Sequence, residues 1–136
     1  MTQGTLQKIA AFAEKQAPYL IATVDPEGQP HITAAGKLAI SEAGSAEITD
    51  WFCDTTVSNL HSNPRISVII WDRIIDVGYQ LLGEAEKVED MAIMNGFSPE
   101  LDEKAHLPQV ERKLVVRIRK IFDFSHRGQS DREQLP

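Results

Sequence analysis

The run GSAEITDWFCDTTVSNLHSNPRISVIIW, residues 44–71, decides how the chain is read. Ala46 to Cys53 is rich in β-branched and aromatic residues, which suit a pleated, half-buried surface. Asp54, Thr55 and Thr56 follow with side-chain oxygens able to accept the unpaired N–H groups of a helix start. Asn63-Pro64 closes that helix, because the residue before a proline is driven out of the α region. Arg65 to Trp71 is an unbroken run rich in β-branched residues and reads as a buried strand. A short helix entered through hydroxyls and set between two strands is a place to hold a phosphate.

Towards the N-terminus, Leu6, Ile9, Ala10 and Ala13 recur at helical spacing and predict an amphipathic helix over 5–16, capped by Thr5 and ended before Pro18. Tyr19 to Val24 is a compact apolar strand. Asp25-Pro26-Glu27-Gly28 carries turn chemistry, so Gln29 to Ala35 is the return strand of a hairpin. Gly36 marks a bend or a close approach to the backbone. Lys37 to Ile40 is a further extended piece, and Ser41 to Ser45 is a loop.

Beyond Trp71, Asp72-Arg73 turns the chain, and Ile74 to Val77 is too short to assign. Gly78 to Val88 predicts a long strand with a bulge at Gly83. Residues 89–113 hold Gly96, Pro99 and Pro108 among many charges, which predicts short helical pieces and loops. Leu114 to Phe124 is the last strand, with Leu114, Val116, Ile118, Phe122 and Phe124 on one face and Arg117, Arg119 and Asp123 on the other. Residues 125–136 are a polar tail, loose or ordered on a partner. The expected architecture is one mainly β domain over residues 1–124, of about six or seven antiparallel strands, rather than an alternating α/β fold.

A net charge of −6 over 136 residues, with no lysine-arginine cluster, argues against a nucleic-acid backbone or an acidic membrane surface as partner. No apolar stretch approaches a membrane span, and the N-terminus lacks the apolar core of a signal peptide. The lone Cys53 can form no internal disulfide. Together these features predict a cytoplasmic protein. With Trp51, Phe52 and Asp54 as neighbours and no base alongside, Cys53 reads as a buried structural thiol.

The chain lacks a phosphate-binding glycine loop, a nucleophile elbow and a pair of closely spaced metal-binding histidines. His31, His61, His106 and His126 are scattered, and no carboxylate pair stands at a spacing that implies acid–base work. The residues alone describe a small β-rich domain and assign no chemistry.

Leu20-Ile21-Ala22-Thr23-Val24, Gly28-Gln29-Pro30-His31-Ile32, Asn59-Leu60, Asn63-Pro64-Arg65 and Gly83-Glu84-Ala85 occur in an order and spacing that resemble the pyridoxamine 5′-phosphate oxidase-like, FMN-binding split-barrel superfamily in its short, single-domain form. The resemblance covers most of residues 6–124. It implies a Greek-key split barrel and a homodimer with two flavin sites at the subunit interface. Thr33, Ala34, Ala35 and Gly36 would pass beside the flavin ring and ribityl chain, largely through backbone groups. Asp54, Thr55, Thr56 and Asn59 would fall at the phosphate end, and Gln80 would reach the cofactor from the partner subunit.

Family members commonly place a lysine or arginine in the phosphate turn. Residues 54–62 contain neither, and Asp54 adds a negative charge. A missing charge-assisted bond costs about 1.5–3 kcal/mol. Arg65, Arg73, Lys37 and the Arg117/Arg119 pair are the candidates to compensate. Thr55 and Thr56 therefore carry two readings, phosphate ligands or helix caps. Trp51 and Trp71 read first as core or interface anchors.

The resemblance implies an FMN-binding redox protein, an oxidoreductase or electron carrier, with another flavin or a deazaflavin as variants. True pyridoxamine phosphate oxidation is disfavoured by the short chain, which lacks a basic set for a second phosphate. The alternatives are a cofactor-free binding or structural dimer on the same fold, and a haem-binding relative for which no histidine offers an axial-ligand context.

Overall fold

The computed structural model describes residues 2–94, 109–128 and 130–134. In chain order the elements are α1 (Gln3–Ala13), β1 (Tyr19–Val24), β2 (Pro30–Ala35), β3 (Lys37–Ile40), β4 (Ser45–Thr49), α2 (Asp54–Ser62), β5 (Arg65–Asp72), β6 (Val77–Met94) and β7 (Gln109–Asp123). The seven strands form one antiparallel sheet in the order β2-β1-β5-β6-β7-β4-β3. The two edge strands, β2 and β3, are separated in sequence by Gly36 alone. One residue cannot span an open sheet, so the sheet must curl until its edges meet at that corner. The result is the expected split barrel, mainly β, with an N-terminal helix and one more short helix.

The inward faces of the strands supply the core: Ile21, Ala46, Ile48, Val68, Ile70, Leu81, Leu114, Val116 and Ile121 are almost completely buried, and Trp51 joins them. Each of the valine, leucine and isoleucine side chains among them contributes about 1.5–3 kcal/mol on burial. Helix α1 covers the barrel with Leu6, Ile9 and Ala13. Its cap is Thr2 rather than Thr5, with the Thr5 N–H donating to Thr2 Oγ1 at 3.2 Å. The Tyr19 hydroxyl donates to the Ala13 carbonyl and ties the end of α1 to β1.

The quoted stretch folds as strand, helix and strand, with one correction at the helix start. Strand β4 stops at Thr49, because Asp50 takes a positive φ of 60° and turns the chain. Cys53 is the N-cap of α2, so Asp54, Thr55 and Thr56 lie inside the first turn instead of capping it. The Asn63-Pro64 stop holds, with Asn63 extended at φ −146°.

Residues 89–94 and 109–113 are not helical pieces or loops. They continue β6 and β7 as a paired ribbon in which Glu89 faces Lys113 and Asp90 faces Arg112. Opposite charges directly across a ladder support pairing, and their abundance is what made the segment look like loop. The remainder of that segment, including Gly96, Pro99 and Pro108, lies outside the described residues.

The expected alternation along β7 also slips. Leu82 faces Lys120 and Gly83 faces Ile118, so Arg119 is an extra residue at a bulge. The inward phase then passes to Ile121, which is fully buried, while Phe122 is only half-buried. Gly83 sits at the bulge as expected.

The polar tail folds back along β7. The Asp123 N–H donates to the Arg132 carbonyl at 2.8 Å and the Gln134 N–H to the Ile121 carbonyl at 2.6 Å. Upstream of these bonds it is anchored on buried Asp76, which accepts from the Trp71 indole N–H at 3.0 Å and the His126 N–H at 3.1 Å. Arg127 Nε and His126 Nε2 lie 3.4 Å and 3.3 Å from the second carboxylate oxygen. Burial pushes the Asp76 carboxyl up, but the His126 amide, the Trp71 indole and the His126 and Arg127 charges outweigh it, and its pKa lies below the ordinary value. The anchor is therefore complete above the ordinary carboxylate pKa of about 3.9 and is lost as pH falls through the lower folded value. Protection of the His126 amide against hydrogen exchange, corrected for the intrinsic rate at each pH, should fall as pH drops through that window. Protection that is flat down to the lowest pH at which the barrel survives would contradict this anchor.

Candidate functional site

The amino end of α2 meets the inner face of β2, where the side chains of Thr33, Cys53 and Thr56 converge with the Thr55 amide. Thr33, which alternates inward on β2, and Thr55 and Thr56 in the first turn of α2 surround the Cys53 sulfur. The Thr56 hydroxyl is fully buried, faces the Cys53 sulfur and completes no hydrogen bond of ordinary geometry. Cys53 is half-buried and supplies no side-chain cap. The first N–H groups of a helix have no intrahelical partner, and here no side chain takes them in their place. They carry the positive end of the helix dipole. An uncapped helix start with an unpartnered buried hydroxyl is a cradle for a small anion.

The same donors act on the thiol. Burial pushes Cys53 up, yet the Thr56 hydroxyl, the Thr56 and Thr55 amides and the Thr33 hydroxyl together bring it below the ordinary thiol value. Cys53 is thus a perturbed thiol at a helix start, not the buried structural thiol expected from its neighbours. Its partners are remote in sequence or one turn ahead, so no local pattern could have marked it.

Arg112 is the second residue that sequence reasoning passed over. Its side chain, 12% exposed, reaches from β7 to Asp54 at 2.8 Å and to Asp90 at 3.4 Å, and donates to the Phe52 carbonyl at 3.3 Å. It neutralises Asp54 and pins the approach to α2, but is itself matched by two carboxylates. The five other candidates lie elsewhere, and Arg117 stands exposed on β7 between Ser45 and Glu84. Arg65 and Arg119 line a groove on the outer sheet face, and Lys37 and Arg73 line two further hollows. Replacing Arg112 by Ala should lower stability by about 1–2 kcal/mol, discounted because its carboxylate partners are exposed. Thermal unfolding measures it. Lys at this position should recover only part, since one ammonium cannot serve Asp54, Asp90 and Phe52 together.

The remaining expected site residues are more dispersed. Asn59 is buried one turn along α2 and donates to Thr23 Oγ1 at 3.1 Å, fastening the helix to β1. Ala35 is buried, and Ala34 is exposed on the opposite face of β2. Gly36 does admit a close approach, and the group that approaches is Asp50. The Gly36 N–H donates to the Asp50 carbonyl at 2.9 Å, and a Cβ on Gly36 would stand 1.9 Å from Asp50 Oδ2. Gln80 lies on the outer face of β6 and donates to Ser67 Oγ at 2.7 Å. Thr33, Thr56 and the Thr55 amide are therefore brought together, while Asp54 turns to Arg112 and Ala34 and Gln80 face away.

His31, inward on β2 and paired with Thr23, has a buried Nδ1 without a hydrogen-bond partner. Trp51 is a core residue whose indole donates to the Ile48 carbonyl, and Trp71 packs edge-on against Phe124. Among the described residues no cluster of His, Cys, Asp or Glu is arranged to hold a metal, and no helix is long and apolar enough to cross a membrane.

A family model described as pyridoxamine 5′-phosphate oxidase matches residues 5–122. No curated protein matches the sequence. Among solved structures the chain is similar to HupZ from Group A Streptococcus, at 17% identity over 93% of this chain and 96% of that one, with a TM-score of 0.66. An FMN-binding protein from Syntrophomonas wolfei subsp. wolfei shares 15% identity over 90% of each chain, with a TM-score of 0.63. An F420 reductase shares 16% identity over 82% of this chain and 93% of that one, with a TM-score of 0.55. At these identities the solved structures establish the fold that they share with it.

Proposed function

The chain belongs to the pyridoxamine 5′-phosphate oxidase family, and from that premise we propose that it is a cytoplasmic, homodimeric flavoprotein with FMN as its cofactor. Another flavin or a deazaflavin is the variant of this reading, supported by the fold it shares with an F420 reductase. The observation that carries it is the fully buried, unpartnered Thr56 hydroxyl at the uncapped start of α2. A phosphate held there would use that hydroxyl and the amides of Thr55 and Thr56, with Thr33 beside them on β2. Arg112, by neutralising Asp54, removes most of the repulsion that carboxylate would exert on a phosphate.

FMN, when bound, supplies hydride or electron transfer, and the protein supplies position and electrostatics. No side chain is assigned as acid, base or nucleophile towards a substrate. The outer sheet face supports the dimer: Leu20 and Ile32 are exposed there, and Ile69 and Leu82 are half-buried. Gln80 stands on that face, where a partner subunit would meet it.

A cofactor-free dimer is favoured by one observation, that the basic side chain reaching the α2 turn is already matched by Asp54 and Asp90. The visible spectrum of freshly purified protein, followed by titration with FMN, separates the readings. Flavin bands, or saturable quenching of FMN fluorescence, support the proposal. A colourless protein that leaves FMN fluorescence unchanged would overturn it, and a Soret band would replace it with the haem reading.

A further inference from the structure

Cys53 has what a reactive thiol needs and a structural one does not. It is partly open to solvent at a helix start, and donors from two elements, β2 and α2, close around its sulfur. The Thr56 hydroxyl among them is fully buried and completes no hydrogen bond of ordinary geometry. A buried donor left unpaired is costly. It is relieved when the sulfur becomes an anion, which gives the hydroxyl a charge-assisted bond, or carries an oxygen, which gives it an ordinary acceptor. The same donors bring the thiol below its ordinary pKa against the push of burial, as helix starts do for reactive cysteines. The charged groups around this turn, Asp54, Asp90 and Arg112, are engaged with one another.

We propose that Cys53 is a peroxide-reactive thiol, and that its oxidation to the sulfenic acid closes the α2 cradle to phosphate. The sulfur attacks one oxygen of hydrogen peroxide; an S–O bond forms and the O–O bond breaks. The departing hydroxide takes a proton and leaves as water, so the sulfur loses two electrons and the peroxide gains them. The new oxygen accepts from the Thr56 hydroxyl and the first-turn amides, which are the donors assigned above to the phosphate. A small thiol reverses the change through a mixed disulfide. The closing of the cradle rests on the flavin reading; the reactivity of Cys53 does not.

The test uses the reduced full-length protein without added flavin, treated with hydrogen peroxide and trapped with dimedone, then read by intact mass and peptide mapping. Cys53 should label about tenfold faster than glutathione under the same conditions. Thr56→Val should slow labelling about tenfold without lowering the melting temperature, and Cys53→Ser should abolish it. Labelling no faster than glutathione, or indifferent to Thr56→Val, overturns the reactive thiol. FMN titration of reduced and oxidised protein reads the second half, with affinity expected to fall about tenfold on oxidation and return with dithiothreitol. Equal affinity in both states overturns the closing alone. Reduced protein that binds no FMN overturns the flavin reading and the closing with it, while the labelling rate still decides the thiol.

Discussion

Thr56→Val is expected to make the protein more stable and, at the same time, a weaker binder of FMN. The hydroxyl is fully buried and unpartnered, so an isosteric methyl removes a desolvation penalty of about 1 kcal/mol. The same change deletes a bond to the phosphate, worth about 1.5 kcal/mol or roughly tenfold in Kd. A purely structural threonine gives the first effect without the second. Thr56→Glu is the stronger probe: a carboxylate beside the phosphate should weaken FMN binding by roughly a hundredfold or more. Because Glu in a buried position also costs stability, the pair is read together, by thermal unfolding and fluorescence titration. Unchanged affinity in the well-folded Thr56→Val protein would place the phosphate elsewhere.

The largest loss of stability is expected at Gly83. A Cβ there would stand 2.2 Å from the Arg117 carbonyl oxygen and 2.9 Å from Val116 Cγ1. The obstruction is backbone of the neighbouring strand, which cannot swing aside as a flexible side chain does. Gly83→Ala should cost about 3 kcal/mol or more, a fall of roughly 10 °C in melting temperature. Gly4→Ala is the contrast, since only Thr2 Oγ1 comes within 3.9 Å of the added carbon and the site is in α1. That substitution should gain up to about 1 kcal/mol. Equal behaviour of the two variants would mean that the bulge opens without cost.

The sequence made plain what depends on neighbours along the chain. Tyr19–Val24 and Lys37–Ile40 form as strands over those residues, Asn63-Pro64 ends α2, and Gly83 sits at a bulge. Each follows from a local preference. What escaped depends on pairing across the sheet. Glu89 and Asp90 are cross-strand partners of Lys113 and Arg112, which composition cannot distinguish from a solvated loop. Arg119 adds one residue to β7, and every later side chain changes face, so Phe122 yields its core position to Ile121.

The site was legible to the same degree. Thr33, Thr55 and Thr56 are brought together by contact between α2 and β2. Arg112 was invisible because it acts from a segment that looked like loop, and Cys53 because its donors, Thr56 and Thr55 in the first turn of α2 and Thr33 on β2, close around it only in the fold.

The corner at Gly36 also governs the order in which the molecule can be assembled. Strands β3 and β4 pair with each other, and among the described residues the one further strand that pairs with them is β7, with Ser45 facing Arg117. On a ribosome, β1, β2, β5 and the first half of β6 can pair while the hairpin beside them waits for a strand not yet made. Until β7 emerges, that hairpin has an unpaired edge and Gly36 joins it to a half-formed sheet. Contacts of such long sequence separation slow folding and leave edges open to other chains meanwhile. Truncation before Gln109 should therefore leave nascent chains that depend on chaperones, whereas release of the full-length chain should let the barrel close in one cooperative step.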